Sequence, residues 1–230
     1  MAKKSKKQAE SNFEAVEGAL TRSEMWLERN SKKITIVVGI VVVVVLGYLG
    51  KIQLYDKPNT EEAQNKMFMA EKFFEQGDYQ KALDGDEKYA GFLEIVNDYS
   101  STKPGKLAAY YAGLSYLNLG EFEQAITYLK KYTTKDAFFS IFAEGAIGDA
   151  NLELGRLQEA MTHYKKAAEM NPNDVTTPTF LFKLGQCQEM DNNLQEALNI
   201  YEKIRIDYPN SNEAREMEKY IERIKAEMAN

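Results

Sequence analysis

One cysteine, one histidine, one tryptophan and five prolines in 230 residues leave little of what cross-linked or catalytic folds use. Cys187 has no second thiol to pair with, so an internal disulfide is excluded and the fold must rest on its core. His163 has neither a cysteine near it in sequence nor an HExxH context, so it reads as a surface imidazole and not as a metal ligand. No P-loop, dinucleotide fingerprint or G-x-S-x-G elbow occurs. Asp84-Gly85-Asp86 opens like a calcium loop. Lys88 would then take the fifth position, Tyr89 the glycine position and Ile95 that of the bidentate acid, so it is not an EF-hand. Acidic pairs such as Glu121/Glu123 read as solvated helix faces. No catalytic residue, cofactor or metal is assigned, and an enzyme is not expected.

Long apolar runs are equally scarce, with one exception. Residues 34–50 read ITIVVGIVVVVVLGYLG, 17 positions without a charge. At about 1.5 Å per helical residue the run covers roughly 25 Å, slightly short of a hydrocarbon core of roughly 30 Å. Ile52 and Leu54 are therefore expected to complete a single transmembrane helix over 34–55 while Lys51 snorkels. Twelve Ile, Val and Leu side chains at about 0.3 to 0.6 kcal/mol each favour insertion by about 4 to 7 kcal/mol. The purity of the run argues against a buried core helix. The 33 residues before it, with no Ala-x-Ala site after it, argue against a cleaved signal peptide. Gly39, Gly47 and Gly50 fall loosely on one face but make no GxxxG, which leaves the oligomeric state open.

Basic residues near a span are retained on the cytoplasmic side. Arg22, Arg29, Lys32 and Lys33 lie just before the run, and only Lys51 and Lys57 just after it. The N-terminus is expected inside a bacterial inner membrane and residues 56–230 in the periplasm. Residues 1–33 carry eight Lys/Arg against five Asp/Glu, leaving 21 against 30 for the remainder: +3 and −9 within a whole-chain charge of −6. An acidic exterior repels phosphate backbones, so nucleic-acid binding is excluded there. In the tail, Phe13, Val16, Leu20 and Leu27 fit an amphipathic helix under the membrane with Trp26 near the interface, while the polar composition fits a solvated tail equally well.

The exterior part repeats. Gly113, Gly148 and Gly185 align, followed after seven residues by Gly120, Gly155 and Asn192, then Ala125, Ala160 and Ala197, then Leu129, Tyr164 and Tyr201, with Pro172 and Pro209 closing the last two. Small residues let two antiparallel helices approach, the Gly120/Gly155/Asn192 position tolerates the left-handed conformation that stops the first helix, and the large residue fills the seam. The segments LGEFEQAITYLKKY (119–132), ELGRLQEAMTHYKKAAEMNP (153–172) and NNLQEALNIYEKIRIDYPNS (192–211) resemble the tetratricopeptide repeat (TPR) family. Asn151 and Gln188 depart from its usual Tyr, and Ala137 from its Pro. A divergent first unit is carried by Gly77, Tyr79 and Ala82, with extra residues in 84–106. There a helical stripe of Tyr89, Phe92, Leu93 and Val96 predicts a lengthened packing helix, loosened near Gly85 and Gly91, then a loop through Pro104-Gly105.

The expected architecture is all-α: a TPR helix-turn-helix solenoid with units of about 63–105, 106–140, 141–177 and 178–211. Asn212 is expected to cap a closing helix over about 212–229. The TPR resemblance implies a concave peptide-binding face made by first helices, including Tyr110, Leu114, Asn118, Phe142, Asp149, Glu153, Phe182, Gln186 and Glu189. Aromatic and acid/amide groups of that kind suit a peptide of partly basic character. In layout the chain resembles the YfgM-like family of ancillary Sec translocon subunits. That resemblance implies a non-enzymatic adaptor that binds emerging polypeptides or a periplasmic chaperone beside the translocon. A scaffold for cell-envelope machinery is the rival reading.

Overall fold

The computed structural model describes residues 24–134, 136 and 138–229 with their side chains, and the helical backbone of residues 2–23 and 137. The tail positions Phe13, Val16 and Leu20 therefore lie outside the described side chains. The chain divides into two compact units, 1–58 and 59–230.

In the first unit, helix α1 (Ala2–Lys51) is followed by a π-helical turn, Ile52–Asp56. The stretch beginning at Glu24 is long and apolar enough to cross a membrane, with mean hydropathy 2.4 over its best window and none of that window buried. A core helix would have buried it. The α-helix does not continue to residue 55. The i→i+5 bonding of the π turn accompanies an exposed ion pair between Lys51 Nζ and Asp56 at 2.7 Å, five residues apart.

The second unit is a solenoid of helices: α2 (Lys57–Glu75), α3 (Tyr79–Asp84), α4 (Phe92–Tyr99), α5 (Lys103–Asn118), α6 (Phe122–Lys131), α7 (Ala137–Glu153), α8 (Leu157–Met170), α9 (Thr176–Met190), α10 (Leu194–Asp207) and α11 (Ala214–Met228). From α4 onward each helix packs on the next. The first-helix turns share one geometry. Gly77, Gly120, Gly155 and Asn192 have φ of 77°, 78°, 71° and 60°. At each, the following N–H reaches back five residues: Asp78 to Phe73 (3.0 Å), Glu121 to Tyr116 (2.9 Å), Arg156 to Asn151 and Asn193 to Gln188 (2.8 Å each). These are Schellman caps, which satisfy orphan carbonyls while the left-handed residue turns the chain back.

Seams form as the repeat alignment requires. A methyl group on Gly113 would meet Leu129 Cγ at 2.5 Å, one on Gly148 would meet Tyr164 Cε1 at 2.6 Å, and one on Gly185 would run into the Tyr201 ring. Hydrogen in place of Cβ is what lets each helix pair close. Asn151, where the family has Tyr, is buried and donates its amide to Ile147 O at 2.8 Å, so the departure leaves no orphan polar group.

Three expectations are corrected. The 84–106 segment is not one lengthened helix. It breaks at Gly85, where φ is +79°. A bridge between Gly85 and Ala90 follows, with Asp86 Oδ1 accepting from Lys88 and Tyr89 N–H at 3.0 and 2.9 Å, before α4 begins. Pro104-Gly105 is no loop but the first turn of α5. Thr102 Oγ1 caps it by accepting from Gly105 N at 3.0 Å, and proline's missing N–H is harmless there. The closing helix is capped by Ser211 Oγ, which accepts from Ala214 N at 3.1 Å, and not by Asn212. First helices α5, α7 and α9 also begin three, four and two residues before the expected frame at 106, 141 and 178.

Candidate protein-binding groove

The nine residues expected to line the groove separate into three kinds. Tyr110, Phe142 and Phe182 are packing residues. Tyr110 is 7 % exposed, its ring centroid 5.3 to 5.6 Å from those of Tyr111, Tyr132 and Phe139, and burial pushes its hydroxyl up to about 12. This corrects its assignment as a ligand contact. Phe142 is half-buried between Phe138 (4.9 Å) and Phe180 (6.2 Å), and Phe182 between Tyr220 (5.1 Å) and Tyr201 (5.9 Å). Aromatic rings at these positions bury their faces on the next helix pair, as the quadrupole and the large apolar area favour.

Asp149 and Glu189 belong to a second kind, carboxylates already engaged. Tyr164 Oη donates to Asp149 Oδ1 at 2.7 Å, and Lys183 Nζ of α9 donates to the same oxygen at 2.6 Å. In the following repeat, Tyr201 Oη donates to Glu189 Oε1 at 2.5 Å and Arg223 of α11 pairs with Glu189 Oε2 at 2.6 Å. Burial and the adjacent carboxylate hold both tyrosine hydroxyls far above their ordinary range, so both act as donors throughout. Each triad ties a seam tyrosine, a first-helix acid and a cation of the next unit. Lys183 and Arg223 were missed in sequence. A signal existed: each lies 34 residues after its acid, close to the spacing of the repeats.

Leu114, Asn118, Glu153 and Gln186 are the third kind. Leu114 is half-buried; Asn118, Glu153 and Gln186 are exposed, and Asn118 donates to Leu114 O at 2.8 Å. Glu153 has no ion-pair partner among the described residues. Between α7 and α9 the surface dips into a cavity of about 300 Å³ lined by Asp149, Leu152, Tyr164, Lys183, Gln186, Cys187 and Met190. The Cys187 thiol is buried, and burial with the nearby Asp149 charge pushes it up to about 11, so it lines the cavity as a small apolar group.

Residues 110–175 and 151–218 match two family models described as tetratricopeptide repeat. This stretch is a run of tetratricopeptide repeats. A TPR repeat-containing protein of Methanocaldococcus jannaschii is 30 % identical over 120 residues, which are 51 % of this chain and 20 % of that protein. The matched stretch is thus about a fifth of that relative's length. The TPR run includes every triad acid and tyrosine and the whole α7/α9 cavity. Helices α2 and α3 precede it and carry the same cap geometry at Gly77.

Proposed function

We propose that this chain is a membrane-anchored, non-enzymatic TPR adaptor that binds segments of other proteins on the first helices α5, α7 and α9. The single observation that supports this is the α7/α9 cavity set among surface groups free to bond a ligand. Glu153 and Gln186 offer an acceptor and an amide, and Met190, 67 % exposed, offers an apolar contact. TPR repeats serve protein–protein contact, and an extended or helical peptide fits such a surface. With Asp149 and Glu189 engaged internally, the ligand's basic character falls to Glu153 alone.

In the same reading, α1 spans a bacterial inner membrane with the basic tail in the cytoplasm and the repeats in the periplasm. The clients are emerging polypeptides or a periplasmic chaperone beside the Sec translocon. The anchor keeps the repeats near the membrane, raising their effective concentration for clients there. Site-specific photocrosslinking in membranes from Asn118 and Gln186 is the test, with Tyr110 and Phe182 as packed controls. Heterogeneous nascent chains captured from the exposed positions support the adaptor. One stoichiometric partner would favour an envelope scaffold, and no capture at all would reject the groove. Deleting residues 1–55 should abolish co-purification with the translocon; unchanged co-purification rejects the anchoring role.

A further inference from the structure

On the opposite face of α7, among α5, α6, α7 and α8, lies a larger cavity of about 1000 Å³. Its charge runs against the rest of the molecule. Residues 34–230 carry a net −9, yet this cavity is lined by Lys103, Lys106, Lys130 and Lys166 with His163, and by one carboxylate, Glu144. That carboxylate is already engaged. Its side chain is 15 % exposed, and it accepts from Lys166 Nζ at 2.6 Å while His163 Nδ1 lies 2.8 Å from its other oxygen. Lys103, Lys106 and Lys130 have no ion-pair partner among the described residues. They come from two helices and line one concavity whose buried lining includes the apolar Leu129, Ala143 and Ile147, with the more exposed Met170 beside them.

Three lysines without a close ion-pair partner around one hollow make a local positive field in an acidic domain that an anion would neutralise, with Glu123 attracting only Lys130 of the three and from outside the cavity lining. A free phosphate would use the lysines but not the apolar lining. A flat bilayer surface would reach the rim but not the depth. A peptide with acidic side chains on one side and apolar ones on the other uses both, and ammonium groups, as mobile point charges, accept carboxylates without demanding bidentate geometry. We propose that this cavity is a second interaction site, specific for an acidic, partly apolar peptide segment of a partner protein. It shares α5 and α7 with the proposed groove but no lining residue with the α7/α9 cavity, so substitutions here test it separately from that reading.

The test uses the full chain in nanodiscs of neutral lipid and a short fluorescent peptide alternating Glu and Leu, with binding read by anisotropy. The wild type should bind this peptide about tenfold more tightly than its Gln-for-Glu counterpart, and added salt should weaken the binding. Combined Lys103→Gln, Lys106→Gln and Lys130→Gln should lose about tenfold in affinity, while Lys165→Gln with Lys203→Gln, in the α8/α10 groove, should not. Circular dichroism of the variants confirms that the helices persist. The proposal is overturned if the wild type does not bind, if the Gln peptide binds as tightly, or if the triple variant binds unchanged. It is also overturned if inorganic phosphate or anionic vesicles occupy the same lysines in preference to the peptide.

Discussion

Replacing Gly148 by alanine tests whether the seams hold this solenoid together. Helix propensity alone favours the change: alanine in a helix interior is better than glycine by about 1 kcal/mol. The structure predicts the opposite sign. The new methyl would sit 2.6, 2.7 and 3.1 Å from three carbons of the Tyr164 ring, about 1 Å inside the roughly 3.5 to 4.0 Å at which carbon atoms attract. Tyr164 is 1 % exposed and its hydroxyl is held by Asp149, so the ring cannot swing away without losing that bond. Overpacking of this kind costs about 1 to 3 kcal/mol, and the upper part of that range applies to a pinned ring. After the propensity gain, a net loss of about 1 to 2 kcal/mol remains, or roughly 2 to 8 °C in Tm for a domain of this size. Urea denaturation of residues 59–230 gives the number. Adding Tyr164→Leu should recover part of the loss, because the smaller side chain makes room while giving up the bond to Asp149. A Gly148→Ala variant as stable as the parent or more so would refute the seam argument.

Other perturbations probe different parts of the unit. Tyr201→Phe removes a hydroxyl donor from the Glu189 carboxylate and should lower stability by about 1.5 to 3 kcal/mol, again by urea denaturation; a neutral result would mean that Arg223 alone satisfies that acid. Gly155→Ala, with φ +71° and nothing within 4 Å of the new methyl, should lose about 1 kcal/mol through backbone strain only, without the steric coupling to a partner residue that Gly148→Ala shows in a double-mutant cycle. Burial works against the Glu144 charge, but hydrogen bonds from His163 and Lys166 outweigh it and hold the carboxyl below its usual range. The stability this contributes is present above the unfolded value, about 4.3, and lost as pH falls through the lower folded value. Glu144→Gln should therefore flatten the acid limb of a Tm-against-pH profile below that point. Cys187 should resist iodoacetamide at neutral pH in the native protein and react once urea unfolds α9; rapid native alkylation would contradict its burial.

The repeat was legible because its strongest determinants are local. Gly148 and Tyr164 sit 16 positions apart in one helical hairpin, and the Gly155 turn lies between them, so spacing alone pairs them. What escaped was set by neighbours that spacing does not display. Tyr110 occupies a groove position by count, yet Tyr132 and Phe139 close over it. Asp149 and Glu189 read as free acids because their cations come from the next unit. The 84–106 segment has a continuous apolar stripe, but periodicity says nothing of a glycine that leaves the right-handed region. Gly85 and Gly91 meet so closely that a Cβ on either would strike the other's backbone, and the helix breaks there. Ser211 displaced Asn212 as a cap because helix starts are uncertain by a residue or two from sequence.

The triads bear on how such a stack can bind anything. Each joins two adjacent units through a buried tyrosine, so stability passes from neighbour to neighbour as it does in repeat proteins generally. The same bonds occupy the acids with internal donors, although Asp149 still lines the α7/α9 cavity. Of the residues expected in the groove only Asn118, Glu153 and Gln186 are exposed, and with Met190 they lie toward the C-terminal ends of their helices. A handful of exposed polar contacts without a buried aromatic anchor gives weak binding, since strong sites centre on desolvated hot spots. Weak binding becomes useful when the binder is confined with its clients. Tethering beside the same membrane raises effective concentration to about the millimolar range for short linkers, enough to populate a site whose affinity in free solution is poor. Under the proposed anchoring, α1 is thus part of the binding mechanism. Releasing residues 59–230 from it should reduce client capture far more than any single groove substitution does.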